Sequence, residues 1–442
     1  MSEATVEKPD LRRAFQVPRP LDLPDPGRSF SGAEMSRKLR VLFIVSQPTS
    51  SPAISVHANL MRSFDPQRVE VHVAYNALAD GEPYRSGGTS VRDVFPVAPN
   101  VHLRPTQFGP VAAGSKGRLL RSAVLSLLPG IRDFLALVGY VRRNEIDVIH
   151  CEKGPRNGFY AYVLTRLTPA RYAMHFHWKY GSYLSALSRL SIKKADAIIS
   201  VSSWTGRGIR DAGVQAKRIF PVLNGIDASA WDPEATDGEG VRAEFGVPRD
   251  SVLVVMVAQL VAWKRQAVLI EAFRRVVRER PGTRLLLVGA EIAPPAGAGS
   301  LSYTDELRRL IADEGLQNDV ILTGRRSDIR EVLSAADIFA LPSVDDPCAL
   351  AHIEAMAMAK PVVTVSAGGA PELVEDRKAG LVGPVDDTDA LAQNIIDLID
   401  DPAARRELGE YGRRRVHDYL NAQRMADEVE AVYRLLALGG LE

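Results

Sequence analysis

The sequence predicts an α/β protein of two Rossmann-like, doubly wound domains facing each other across a cleft. Three observations predict it. Short apolar runs rich in branched residues recur between positions 39 and 366, and such runs suit strands buried on both faces. Helix-like segments separate them, and strands that alternate with helices build parallel sheets. A polar stretch over 225–248, rich in Asp, Gly and Pro, divides the series into two halves.

The first half opens with LRVLFIV at 39–45, followed by a helical stretch at 54–64 and a strand at 69–74. Residues 77–115 read as irregular, because Gly87, Gly88, Pro96, Pro99, Pro105 and Pro110 interrupt them. A helical segment over 116–143 follows, divided by Pro129 and Gly130. Strands are then expected at 146–150, 171–177, 196–202 and 218–224. In the second half strands are expected at 251–260, 283–289, 320–324, 337–343 and 361–366, with helices near 266–279, 304–315 and 349–359. The last forty residues read as helical. The expected units are a disordered leader (1–36, polar and proline-rich), a first domain (37–225), a second domain (226–420) and a terminal helix (421–442) that crosses back to the first domain.

Composition narrows the function. The 442 residues carry 55 Lys and Arg against 54 Asp and Glu, a net charge of +1, which argues against a nucleic-acid binder held by bulk positive charge. Two distant cysteines, Cys151 and Cys348, make neither a zinc site nor a disulfide framework and suit a reducing compartment. No stretch reaches the ~20 apolar residues of a membrane span, and no secretory signal is visible, so a cytoplasmic location is expected. No G-x-G-x-x-G follows an expected strand, which disfavours a dinucleotide oxidoreductase. The segment GPVAAGSK at 109–116 has the wrong order for a P-loop. Asp387 and Asp389 form a D-x-D that reads better as a helix cap than as a metal pair, and no other metal-ligand spacing appears.

In doubly wound sheets, ligands bind beyond the carboxyl ends of the strands. The richest such stretch is ADIFALPSVDDPCALAHIEAMAMAKPVV, in which Asp346 and Glu354 lie eight residues apart around a helix start. Free amides near Ala349, Leu350 and Ala351 would offer a phosphate site at the positive end of that helix. Two carboxylates beside them suit the hydroxyls of a sugar or ribose. The plain alternative is that Asp346 caps the helix and Glu354 is solvated.

The ordered set NGID (224–227), AQLVAWKRQAVLIEAF (258–273), LLLVG (285–289), LTGRRSDIREVLSAADIFALPS (322–343), the D-x7-E of Asp346 and Glu354, and GGAPELV (368–374) resembles the C-terminal half of the retaining glycosyltransferases of family 4. The first half is compatible through its opening strand, DVIH (147–150), MHFH (174–177) and ADAIISVSSW (195–204). The resemblance spans roughly 38–438 and implies a GT-B enzyme using a nucleoside-diphosphate sugar, UDP- or GDP-linked, with no further cofactor and no metal. It implies that Glu354 holds the ribose hydroxyls, Asp346 the donor sugar hydroxyls, and Lys264 the diphosphate. Gly324 and Arg325 would meet the base, and His175, or its neighbour His177, would face the donor sugar. It also implies retention at the anomeric carbon without an enzyme nucleophile.

Three positions depart from the family pattern. Gln259 stands where an arginine is usual, leaving Arg265 or another basic residue to supply the second cation. Pro347, Cys348 and Ala349 replace a glycine-rich turn, and proline removes one amide donor. The turn after the first strand lacks paired glycines, so Ser50, Ser51 and Ser55 would face the acceptor or a phosphate. The acceptor itself is not encoded in any motif. A basic amphipathic segment over 116–143 is compatible with a peripheral membrane contact or with an ordinary helix packed on the sheet. Rival readings are a GT-B enzyme of other chemistry, such as a 2-epimerase, and a nucleotide-sugar binder without turnover.

Overall fold

A computed structural model describes residues 37–48, 51–77, 90–108, 116–152, 155–291 and 302–439, with backbone alone for 116–129, Pro155 and Ala216. The leader and the segment 109–115 lie outside these residues. Two all-parallel sheets organise the chain. The first contains β1 (Leu39–Val45), β2 (Val69–Asn76), β3 (Val101–Thr106), β4 (Val148–Glu152), β5 (Arg171–Phe176), β6 (Ala197–Ser200) and β7 (Ile219–Pro221), in the order β3-β2-β1-β4-β5-β6-β7. The second contains β8 (Leu253–Val257), β9 (Arg284–Val288), β10 (Val320–Gly324), β11 (Ile338–Leu341), β12 (Val362–Val365) and β13 (Gly380–Gly383), in the order β10-β9-β8-β11-β12-β13. Both sheets reverse direction once, between β1 and β4 and between β8 and β11, and these switch points are where doubly wound sheets open a ligand crevice.

Alternation along each central strand explains why both faces are covered. On β1, Val41, Phe43 and Val45 join the helix Pro52–Ser63 in one core, while Leu42 and Ile44 join Leu137, Val138 and Val141 in another. On β8, Val254 and Met256 enter the main core of the second domain, and Leu253 and Val255 enter a smaller one with Val241 and Val332.

Three expectations are corrected. Residues 101–106 form a strand despite Pro105, because β3 is the edge of its sheet and an edge tolerates a missing amide donor. The short β13 was not expected; Gly380 is needed there, since a Cβ would sit 1.9 Å from the Val362 carbonyl oxygen. The helix Lys116–Arg143 runs unbroken through Pro129 and Gly130. Its later half packs Leu137, Val138 and Val141 on the sheet and leaves Ile131 and Leu135 exposed. No helix among the described residues is long and apolar enough to cross a membrane.

The chain passes between domains twice, and the two crossings lie side by side. Ile226 bridges Asn421, with Ile226 N donating to the Leu420 carbonyl at 3.1 Å and Ala422 N to the Ile226 carbonyl at 2.8 Å. Gly225 permits this approach, because a Cβ would fall 2.1 Å from the Asn421 carbonyl oxygen. The final helix, Ala422–Ala437, then returns to the first domain and buries Met425, Ala426, Val429, Val432, Tyr433 and Leu436 in its core.

A clamp adds a further contact between the domains. The Glu372 carboxylate accepts from Ser203 N and Trp204 N, both at 2.8 Å, across the domain boundary. These are the first amides of the helix Ser203–Asp211, whose own Ser202 hydroxyl takes the Thr205 amide at 3.2 Å. An anion at a helix start gains from otherwise orphaned donors and from the dipole. Glu372→Ala should lower unfolding stability by about 2 kcal/mol. An unchanged urea midpoint would show that the clamp carries no load.

Candidate functional site

The site forms at the second switch point. After β8 the chain turns through a short 3-10 segment, Ala262–Lys264, and Arg265 (φ 66°) enters the helix Gln266–Glu279. Fully buried Gln266 donates its side-chain amide to the Gln259 carbonyl at 2.8 Å and holds the loop in place. Gly289 (φ 148°) lets β9 pass beneath, where a Cβ would meet the Ala258 carbonyl oxygen at 1.9 Å.

The loop after β11 is stitched to this turn. The Trp263 carbonyl accepts from Val344 N at 3.2 Å and from the Ser343 hydroxyl at 3.4 Å. Lys264 lies over the Trp263 ring, its Nζ 4.4 Å from the centroid, and forms an ion pair with Asp346. Both side chains are almost enclosed, 13% and 11% exposed. The GGAPELV segment lies on the same loop. Gly369 N donates to the Asp346 carbonyl at 2.9 Å, and Cβ atoms on Gly368 and Gly369 would collide with the carbonyl oxygens of Asp346 and Pro347. Buried Asn224, from NGID, donates to the Cys348 carbonyl at 3.2 Å.

The helix Leu350–Ala357 begins here with Ala349 as its cap residue and no side chain bonded to its first amides. Asp346 therefore does not cap it; its carboxylate is turned to Lys264 instead. The amides of Leu350 and Ala351 are left as donors at a positive helix end. Glu354 lies just over one turn into the helix, half-buried, and no cation pairs with it among the described residues. Burial pushes its carboxyl up to about 7.

The other expected residues are placed as follows. Gly324 (φ 75°) ends β10, exposed beside Arg325, and its carbonyl accepts the Gly289 amide at 2.9 Å. Arg265 pairs with Asp386 and does not join Lys264. Ser51 caps the helix Pro52–Ser63 by accepting from Ile54 N at 3.3 Å, and the Ser55 hydroxyl donates to the Ser51 carbonyl at 3.3 Å. Both hydroxyls thus serve the helix start, and Ser50 lies outside the described residues. His175, on β5, is fully buried, whereas His177, just beyond the strand end, is half-buried. Asp387 accepts from Ala390 N at 2.8 Å and caps the helix Thr388–Asp400.

Sequence reasoning missed two cross-domain contacts, the Glu372 clamp and the pair of Lys179 with Asp345 at 2.7 Å. Lys179 follows β5 and stands next to the Asp346 loop only through the apposition of the two domains. No local pattern could announce a partner 166 positions away.

Two doubly wound domains, joined by a connector and sealed by a returning helix, are the GT-B architecture. The family description "Glycosyltransferase Family 4" matches residues 55–230, and "Glycosyl transferases group 1" matches residues 239–415. The chain belongs to this glycosyltransferase family, in which the two halves follow one another. It is 33% identical over 264 residues to the alpha-maltose-1-phosphate synthase of Mycolicibacterium smegmatis, covering 57% of this chain and 66% of that protein. It is 31% identical over 243 residues to a GDP-mannose-dependent monoacylated alpha-(1-6)-phosphatidylinositol monomannoside mannosyltransferase of Corynebacterium glutamicum, covering 52% and 60%. The matches thus span about two thirds or less of these relatives' own lengths. Anabaena HepE, solved in complex with UDP, shares the fold with a TM-score of 0.70 at 20% identity, over 89% of this chain and 98% of that one.

Proposed function

We propose that the chain is a retaining glycosyltransferase that moves a sugar from a nucleoside-diphosphate sugar, UDP- or GDP-linked, onto an acceptor held against the first domain. The observation that carries the reading is the convergence, at one switch point, of an enclosed cation, an uncapped helix start and a half-buried carboxyl with no cation paired to it among the described residues. The amides of Leu350 and Ala351 and the Lys264 ammonium complement a diphosphate. Glu354 accepts the ribose diol; Asp346, released from Lys264 as the diphosphate takes the cation, accepts donor-sugar hydroxyls. Gly324 and Arg325 flank the base, and His177, with His175 behind it, approaches the sugar from the first domain. In this reading the protein positions the reactants and stabilises charge on the leaving diphosphate, which itself takes the acceptor proton on the same face of the sugar.

Incubation with a panel of UDP- and GDP-sugars tests the reading. Slow release of the nucleoside diphosphate from one donor is expected. Formation of an epimer, or tight donor binding with no product, would replace the proposal by one of the two rival readings.

A further inference from the structure

The most concentrated chemistry outside the second domain's loops is a group of four histidines at the first switch point. His57 comes from the helix Pro52–Ser63, His150 from β4, His175 from β5 and His177 from just after β5. The Nε2 of His57 lies 3.2 Å from the Nε2 of His177 and 3.3 Å from that of His150. The His175 and His177 ring centroids lie 4.1 Å apart, with the ring planes tilted by 36°.

Hydrogen bonding among neutral rings does not account for this arrangement. One Nε2 offers either one proton or one lone pair, so His57 cannot satisfy both neighbours well. His175 is fully buried, and neither of its ring nitrogens has a hydrogen-bond partner. An orphaned buried polar group costs about 1–3 kcal/mol and calls for an explanation.

We propose that His57, His175 and His177 form a site for a divalent transition-metal ion of the zinc class. One ligand nitrogen from each of these three rings lies within 4.8 Å of the others. Two nitrogens bound to one tetrahedral zinc at ~2.0–2.1 Å stand about 3.3 Å apart, which the His57–His177 spacing already meets. His150 stands against the cluster with its Nδ1 2.6 Å from the Tyr433 hydroxyl of the returning helix. His177, just beyond the strand end, is half-buried and offers an ion a way in from solvent.

The test is titration of the purified, chelator-stripped chain with Co2+ and then Zn2+. One equivalent of Co2+ is expected to bind with visible ligand-field absorption and to be displaced by Zn2+. His57→Ala and, separately, the half-buried His177→Asn should abolish that absorption while the circular dichroism spectrum is kept. Absence of saturable uptake by the wild-type chain would overturn the proposal, as would uptake unchanged in a folded His177→Asn variant. The readout involves no donor turnover, so it stands or falls independently of the proposed transfer reaction.

Discussion

Replacing Lys264 by alanine is expected to cut donor turnover by about two to three orders of magnitude, the usual effect of deleting a preorganised group that meets developing charge. A unit charge ~4 Å from a phosphate oxygen contributes about 4 kcal/mol at an effective dielectric near 20. Lys264 is held in place from three sides: the Trp263 ring beneath it, Asp346 as its ion partner, and a turn stitched by backbone bonds to the loop after β11. The substitution also strands Asp346, an enclosed carboxylate, without its cation. Removing one partner of a buried pair costs about 3 kcal/mol or more, so Lys264→Ala should be clearly less stable. Adding Asp346→Asn to it should restore much of that stability without restoring turnover. Unfolding in urea and release of nucleoside diphosphate, measured on both single variants and the double variant, separate the two effects. Wild-type turnover in a folded Lys264→Ala chain would remove this residue from the reaction.

The reach of the sequence followed a physical boundary. Central strands were legible because burial on both faces writes an unbroken apolar run: LRVLFIV marks β1 at both ends, and VILTG marks β10. The edge strand β3 carried Pro105, and β13 was two glycines around Leu-Val, so each looked like loop. Pro129 and Gly130 looked like a break, but docking of Leu137, Val138 and Val141 carries the helix through, since tertiary packing outweighs local propensity. Lys264 and Asp346 were each legible as residues that follow strands flanking one switch point, but their ion pair was not read from the sequence. The reason for Gly368 and Gly369 was not, because it lies in the carbonyl oxygens of another loop. Nor was the histidine group, whose members are spread over positions 57–177 and are gathered only by strand order.

Glu354→Gln should stabilise the free protein and weaken its ligand, and the two effects should have different pH dependence. Burial lifts the folded-state pKa of this carboxyl from its ordinary value near 4.5 to about 7. Between those values the folded chain binds the proton more tightly than the unfolded chain. The wild-type penalty is therefore small below pH 4.5, grows as pH rises, and is complete above pH 7. A separation of that size corresponds to about 3 kcal/mol. Glutamine keeps the shape and cannot ionise, so the variant should be more stable by about 3 kcal/mol at pH 8 and by less than about 1 kcal/mol at pH 5. Burial of a charge-ready group with no cation beside it is an expense that a ligand diol can justify, since two hydroxyls donating to a carboxylate contribute about 1.5–3 kcal/mol each. Nucleoside diphosphate affinity at pH 8 should accordingly fall by about ten- to a hundredfold in the same variant. Denaturant unfolding at the two pH values and calorimetric titration at pH 8 read both quantities. A stability gain that is the same at pH 5 and pH 8 would deny the raised carboxyl, and unaltered nucleotide affinity would deny the diol contact.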